Sequence, residues 1–126
     1  MSDQQNRDTL EHYRQAFFER QDIDAIDHLM HEDYVEEYPQ SGERIRGKDN
    51  ARAVYESYPA LPTLVDYSYS LSGDLAVIEM ILEYDGKRMN VCDILELQDG
   101  KIKRSRGYFG EPFEAPEWRA QWVEKM

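Results

Sequence analysis

Midway along the chain the spacing of apolar residues changes from helical to alternating, and this change constrains the fold more than any other feature. Ahead of it, Leu10, Tyr13 and Phe17 recur at helical spacing, with Phe18 broadening the stripe, which predicts a helix over residues 8–20. Ile23, Ile26, Leu29 and Met30 predict a short second helix capped by Asp22 or Asp24. Residues 34–38 read as a short strand stopped by Pro39 and the Gln40-Ser41-Gly42 turn. Ala51, Val54, Tyr55 and Tyr58 mark a third helix after Gly47, ended by Pro59 and Pro62.

From Leu64 the period is two: Val65, Tyr67, Tyr69 and Leu71 alternate with Asp66, Ser68 and Ser70. Ser72-Gly73-Asp74 is a turn, and residues 75–84 form an apolar run broken by Glu79 and Glu83, as in a central strand covered on both faces. Asp85-Gly86 and Asp99-Gly100 are two-residue hairpin signals. Helices followed by a four-stranded antiparallel meander make an α+β plan. The expectation is a single domain over residues 1–126, with a core at about 8–110 and a tail at 111–126. The tail carries Phe113 between Pro112 and Pro116, then a short helix with Trp118 and Trp122.

Charge narrows the partners. A net charge of -11 opposes nucleic acid, whose phosphates need clustered Lys and Arg, and opposes anionic membranes. No window reaches the roughly 18 apolar residues of a membrane span. The polar first residues carry no signal-like apolar region. One cysteine, Cys92, makes no internal disulfide and reads as a small buried hydrophobe. These features point to a cytoplasmic protein whose partner is a small molecule or a second copy.

Asp93 stands out because it interrupts an apolar strand. A carboxyl facing a core is costly unless it is paired, hydrogen-bonded or protonated. If Asp85-Gly86 occupies the centre of its turn, Asp93 lies opposite Ile78. The same rule at Asp99-Gly100 sets Arg106 beside Asp93, whereas a bulge at that turn sets Ser105 there. The face then holds Ala76, Ile78, Met80, Leu82, Val91, Leu95, Leu97 and Tyr108. Its opposite face, with Val77, Ile81, Cys92 and Ile94 among Glu79, Asn90 and Glu96, predicts a homodimer through the open side of the sheet.

The order of these elements is informative. His12-Tyr13-Arg14 through Asp22-Ile23-Asp24 is followed by Asp33-Tyr34-Val35-Glu36-Glu37-Tyr38-Pro39, then by Arg46-Gly47-Lys48-Asp49-Asn50. Asp93 to Phe109, with its Asp-Gly-Lys-Ile turn, completes the series. The chain resembles the nuclear-transport-factor-2-like superfamily, in its SnoaL-like and ketosteroid-isomerase-like branches. The resemblance implies an α+β cone, a curved antiparallel sheet wrapped around N-terminal helices with a deep apolar pocket, in a dimer. It also implies that the neutral Asp of a ketosteroid isomerase falls on Asp93 and its oxyanion tyrosine near Tyr13. The catalytic base falls on Tyr38, which is not a carboxylate, so steroid isomerase activity is not predicted. Glu36 shares Tyr38's side of the strand and is the substitute base, while Glu37 points away as a solvated strand end.

The candidate catalytic residues are therefore Asp93, Tyr13, Tyr38 and Glu36. Arg106, Phe17, Tyr34, Tyr55, Tyr108, Ile78 and Met80 are candidates for binding an apolar ligand. His28 and His31 have metal-compatible spacing but no third ligand stands out, and neither metal nor organic cofactor is expected. Two functions follow. One is a cofactor-independent isomerase, cyclase or dehydratase acting on an apolar carbonyl compound. The other is a non-catalytic module that binds a small ligand or dimerises.

Overall fold

The structure, a computed structural model, describes residues 3–58 and 60–126. Helix α1 (Asp3–Arg14) runs into a π-helical turn (Gln15–Glu19), then helix α2 (Ile23–Leu29). The Asp22 carboxylate caps α2 by accepting from the Ala25 N–H at 3.1 Å. Strands β1 (Met30–Tyr38) and β2 (Glu43–Arg46) precede helix α3 (Lys48–Ser57). Strands β3 (Thr63–Ser72), β4 (Leu75–Tyr84), β5 (Lys87–Gln98) and β6 (Lys101–Gly110) follow, and a 3-10 turn (Glu117–Trp122) lies in the tail. Pro59, expected to end α3, lies outside the described residues, and Pro62 is buried just before β3.

Six strands form one sheet in the order β2-β1-β6-β5-β4-β3, curved round the helices as an unclosed α+β cone. The meander is its larger part. The sheet is extended by β1, which runs parallel to β6, and by β2, which pairs with the far side of β1. The sequence Glu43-Arg44-Ile45-Arg46 has one apolar residue and gives almost no strand signal. Its order comes from pairing with β1, where Ile45 opposes Glu36.

Asp85, Gly86, Asp99 and Gly100 all have positive φ, between 50° and 80°, which matches the twist of two-residue hairpins. Helix α1 is fastened to the turns at this end of the sheet. Asn6 Nδ2 donates to the Gly73 carbonyl and to Asp74 Oδ1, both at 3.0 Å, and Thr9 Oγ1 donates to the Gly100 carbonyl at 2.5 Å. Leu10, Ile26, Met30, Ile78, Leu95 and Ile102 are fully buried between helices and sheet. Among the described residues no helix is long and apolar enough to cross a membrane.

Candidate functional site

Strand alternation places Tyr34, Glu36 and Tyr38 on the concave side of β1, and α3 brings Tyr55 over them. The three hydroxyls converge on one buried carboxyl. Tyr34 and Tyr55 donate to Glu36 Oε1 at 2.5 and 2.6 Å, and Tyr38 donates to Oε2. Burial first, and the nearby Glu36 charge with it, hold the tyrosines far above their ordinary pKa, so all three remain donors. Tyr38 is therefore a donor rather than a base, and its hydroxyl helps to orient the Glu36 carboxyl.

Asp93 faces the same space from β5. It pairs with Ile78 on β4, as the Asp85-Gly86 turn predicts. Its β6 partner is neither Arg106 nor Ser105 but Gly107. The turn does pair Gln98 with Lys101, but the register slips between Leu97–Ile102 and Glu96–Arg104, leaving Lys103 as an extra residue in β6. One inserted residue moves every later β6 side chain to the other face. Arg106 and Tyr108 thus lie on the convex face, opposite Ile94 and Cys92, and neither lines the pocket. The Arg106 Nε is buried there with no partner among the described residues. Ser105 does reach the concave side, one pair further along, opposite Leu95.

The slip creates the environment of Asp93. A Cβ on Gly107 would stand 2.9 Å from Asp93 Oδ1 and 3.2 Å from Phe109 Cε1, so only glycine leaves room for the carboxyl in this position. No described residue forms a hydrogen bond or ion pair with that carboxyl. Desolvation, reinforced by the negative charge of Glu36, pushes its pKa up to about 7. The Tyr13 hydroxyl, also unpartnered among the described residues, is held well above the tyrosine range by burial and then by Asp93 and Glu36.

These groups line a cavity of about 50 Å³ together with Phe17, Phe18, Tyr55, Tyr58, Met80, Leu82, Tyr84, Val91, Ser105 and Phe109. Phe17 packs on Phe18 and Tyr55 with ring centroids 4.8 and 5.5 Å apart. Two residues expected in the lining sit behind it instead. Tyr34 reaches the site only through Glu36, and Ile78 is wholly buried beneath Asp93. Tyr84 and Phe109, which the strand pattern alone does not point to as lining, complete the wall with Tyr58. The Gly107 signal, a glycine inside a strand, was present in the sequence and marks a close approach.

Glu37, expected at a solvated strand end, is buried on the convex face. Arg104 binds its Oε1 and Arg44 its Oε2, each through two N–H donors at 2.6 and 2.9 Å. Those hydrogen bonds hold its pKa below the ordinary carboxylate range. His28 is exposed, and His31 Nδ1 accepts the Asp33 N–H at 3.0 Å. No cluster of three metal-ligating side chains occurs among the described residues.

Chemically, the cavity offers two free donors, a phenol at Tyr13 and, below about pH 7, a protonated carboxyl at Asp93, together with the carboxyl of Glu36 held in place by three tyrosines. Two donors can stabilise a developing oxyanion, and a carboxylate can accept a proton from carbon.

A model of the SnoaL-like domain family matches residues 10–105. An NTF-2 like protein of unknown function from Burkholderia xenovorans LB400 is 34% identical, with a TM-score of 0.88 over 98% of this chain and 96% of that one. A candidate ketosteroid isomerase from Kribbella flavida DSM 17836 is 26% identical, with a TM-score of 0.88 over 98% and 90%. A candidate polyketide cyclase from Pseudomonas putida KT2440, 22% identical, shares the fold with a TM-score of 0.71 over 81% and 89%. No curated protein matches the chain.

Proposed function

The chain belongs to the SnoaL-like family of the NTF2-like superfamily, and from that premise we propose that it is a cofactor-independent acid/base enzyme acting on a small carbonyl compound. Tyr13 and neutral Asp93 hold the carbonyl oxygen. Glu36 removes a proton from the adjacent carbon, and the resulting enol collapses by isomerisation, cyclisation or elimination. The observation that carries this reading is the pair of unpartnered donors, Tyr13 and Asp93, lining one cavity with Glu36. The cavity favours a substrate smaller than a steroid. Even so, a ligand has to displace rings at its mouth, where Tyr58 is 39% exposed.

The test is deuterium exchange from D2O into the α-carbon of small cyclic ketones, followed by NMR. The wild type should exchange faster than buffer, and Asp93→Asn, Tyr13→Phe and Glu36→Gln should each lose most of that rate. Equal exchange in wild type and Asp93→Asn would end this mechanism.

A second reading, a non-catalytic ligand-binding module, is favoured by Tyr38 standing where the resemblance places a base, and by the narrow cavity. Its mark is a small molecule retained through purification while no ketone exchanges. In either reading we assign the convex face, with Val77, Ile81, Cys92 and Ile94 half-buried, to a homodimer contact.

A further inference from the structure

The tail is the part of the molecule least accounted for by its own fold. Phe113, Trp118 and Trp122 are 82%, 75% and 72% exposed, a concentration of bare aromatic surface seen nowhere else among the described residues. Residues 111–116 hold Pro112 and Pro116, which favour an extended, stiffened segment. The segment leaves the body at Gly110, where the Gln40 amide clamps Phe109 by donating to its carbonyl at 2.6 Å and accepting its N–H at 2.5 Å. A stiff strut rooted in a clamped strand end holds its tryptophans away from the body that carries them.

The same chain presents a groove suited to that tail. Between β2 and α3 lies a cleft of about 580 Å³ lined by Arg44, Ile45, Arg46, Ala53, Val54 and Tyr58, among others. Ile45, Ala53, Val54 and Tyr58 give it apolar surface, and of its two arginines Arg44 is held by Glu37 and Arg46 lies exposed beside it, on a chain whose net charge is -11. The tail carries Glu111, Glu114, Glu117 and Glu124 against Arg119 and Lys125, so it is acidic on balance and its first half, ahead of Trp118, is wholly so.

We propose that the C-terminal segment of one copy docks in the β2–α3 groove of a second copy, and that the exchange is reciprocal. Trp118 and Trp122 fill the groove beside Ile45 and Val54, and Glu114 and Glu117 meet Arg46, while Arg44 stays paired with Glu37. Tyr58 lines both the groove and the cavity, so each docked tail also covers the mouth of its partner's site. A two-fold exchange closes on itself and leaves no free end to propagate. Burying two tryptophans per tail at roughly 150 Å² each, doubled by symmetry, covers about 600 Å² of aromatic surface, which adds to a contact through the convex face rather than replacing it. The inference is independent of the acid/base reading.

Both tryptophans of the chain lie in the tail, so tryptophan emission, excited beyond the tyrosine absorption band, reports on that segment alone. The experiment is a dilution series of the full-length protein, following emission maximum and acrylamide quenching beside sedimentation velocity. The expected result is blue-shifted, protected tryptophan in the associated state, turning red-shifted and several-fold more quenchable as the protein dissociates. Arg46→Glu and Ala53→Glu, both at solvent-accessible positions, should keep the tryptophans exposed at all concentrations with the circular dichroism spectrum unchanged. Tryptophans that stay exposed in the associated wild type would overturn the proposal. So would tryptophans that stay protected in a sedimenting monomer, which would place the tail on its own chain.

Discussion

Replacing Asp93 by Asn should stabilise the protein at high pH and do little at low pH. The carboxyl titrates near 7 in the fold against an ordinary value of 3.8, because burial and Glu36 disfavour its charge. Between those two values the unfolded chain has released the proton and the folded one has kept it. The folded state therefore binds more protons, and stability falls as pH rises. The full difference corresponds to roughly 4 kcal/mol, reached at about pH 7 and above, with a slope of up to about 1.4 kcal/mol per pH unit. Asp93 retains some accessible surface at the cavity, so a measured value of about 2 kcal/mol or more is the reasonable expectation. Asn keeps the shape and removes the titration. Urea unfolding of both proteins from pH 4 to 9 should give nearly equal stabilities at the acid end. A gap favouring Asp93→Asn should then open and level off above about pH 7. A gap independent of pH, or an Asn variant less stable at pH 8, would refute the assignment of Asp93 as a buried, unpaired acid.

Other perturbations probe the supporting contacts. Gly107→Ala should cost about 1–3 kcal/mol by forcing its Cβ against Asp93, and the cost should shrink when Asp93 is also changed to Ala, as a double-mutant cycle would show. Tyr55→Phe removes one donor from a buried carboxylate and should cost about 1.5–3 kcal/mol in urea unfolding; a neutral effect would mean that the bond is not formed. Glu37→Gln should destabilise at neutral pH by leaving Arg44 and Arg104 facing each other. Because its pKa is depressed in the fold, the stability it contributes is present above the ordinary carboxylate value and is lost as pH falls through the folded one, so the wild-type advantage should fade in acid.

What could be read from the residues and what could not have separate physical causes. Asp85-Gly86 sets the β4–β5 pairing because both positions adopt positive φ and the strands beyond carry no slip, so Asp93 lands opposite Ile78. Tyr34, Glu36 and Tyr38 share a face simply because a strand alternates. The β5–β6 pairing defeats the same logic one turn later. Asp99-Gly100 forms the expected hairpin, but the alternation of Lys101-Ile102-Lys103 shifts phase at the adjacent Arg104, and a register counted from the turn alone passes over that break. The extra Lys103 exchanges Arg106 for Gly107 beside Asp93, and with it an ion pair for an isolated acid. Strand β2 was hidden for another reason. Its order derives from partners, with Arg44 anchored on Glu37, rather than from any preference of Glu43-Arg44-Ile45-Arg46.

The protonation state of Asp93 decides between an acid that donates to a carbonyl and an ordinary carboxylate. Its side-chain carboxyl can be followed directly by 13C NMR across pH 4 to 9, with the resonance identified by its loss in Asp93→Asn. A midpoint near 7 is the result predicted by a carboxyl buried beside Glu36 with no cation to hold its charge. A midpoint near 4 would contradict it and would place an unseen donor or cation against Asp93.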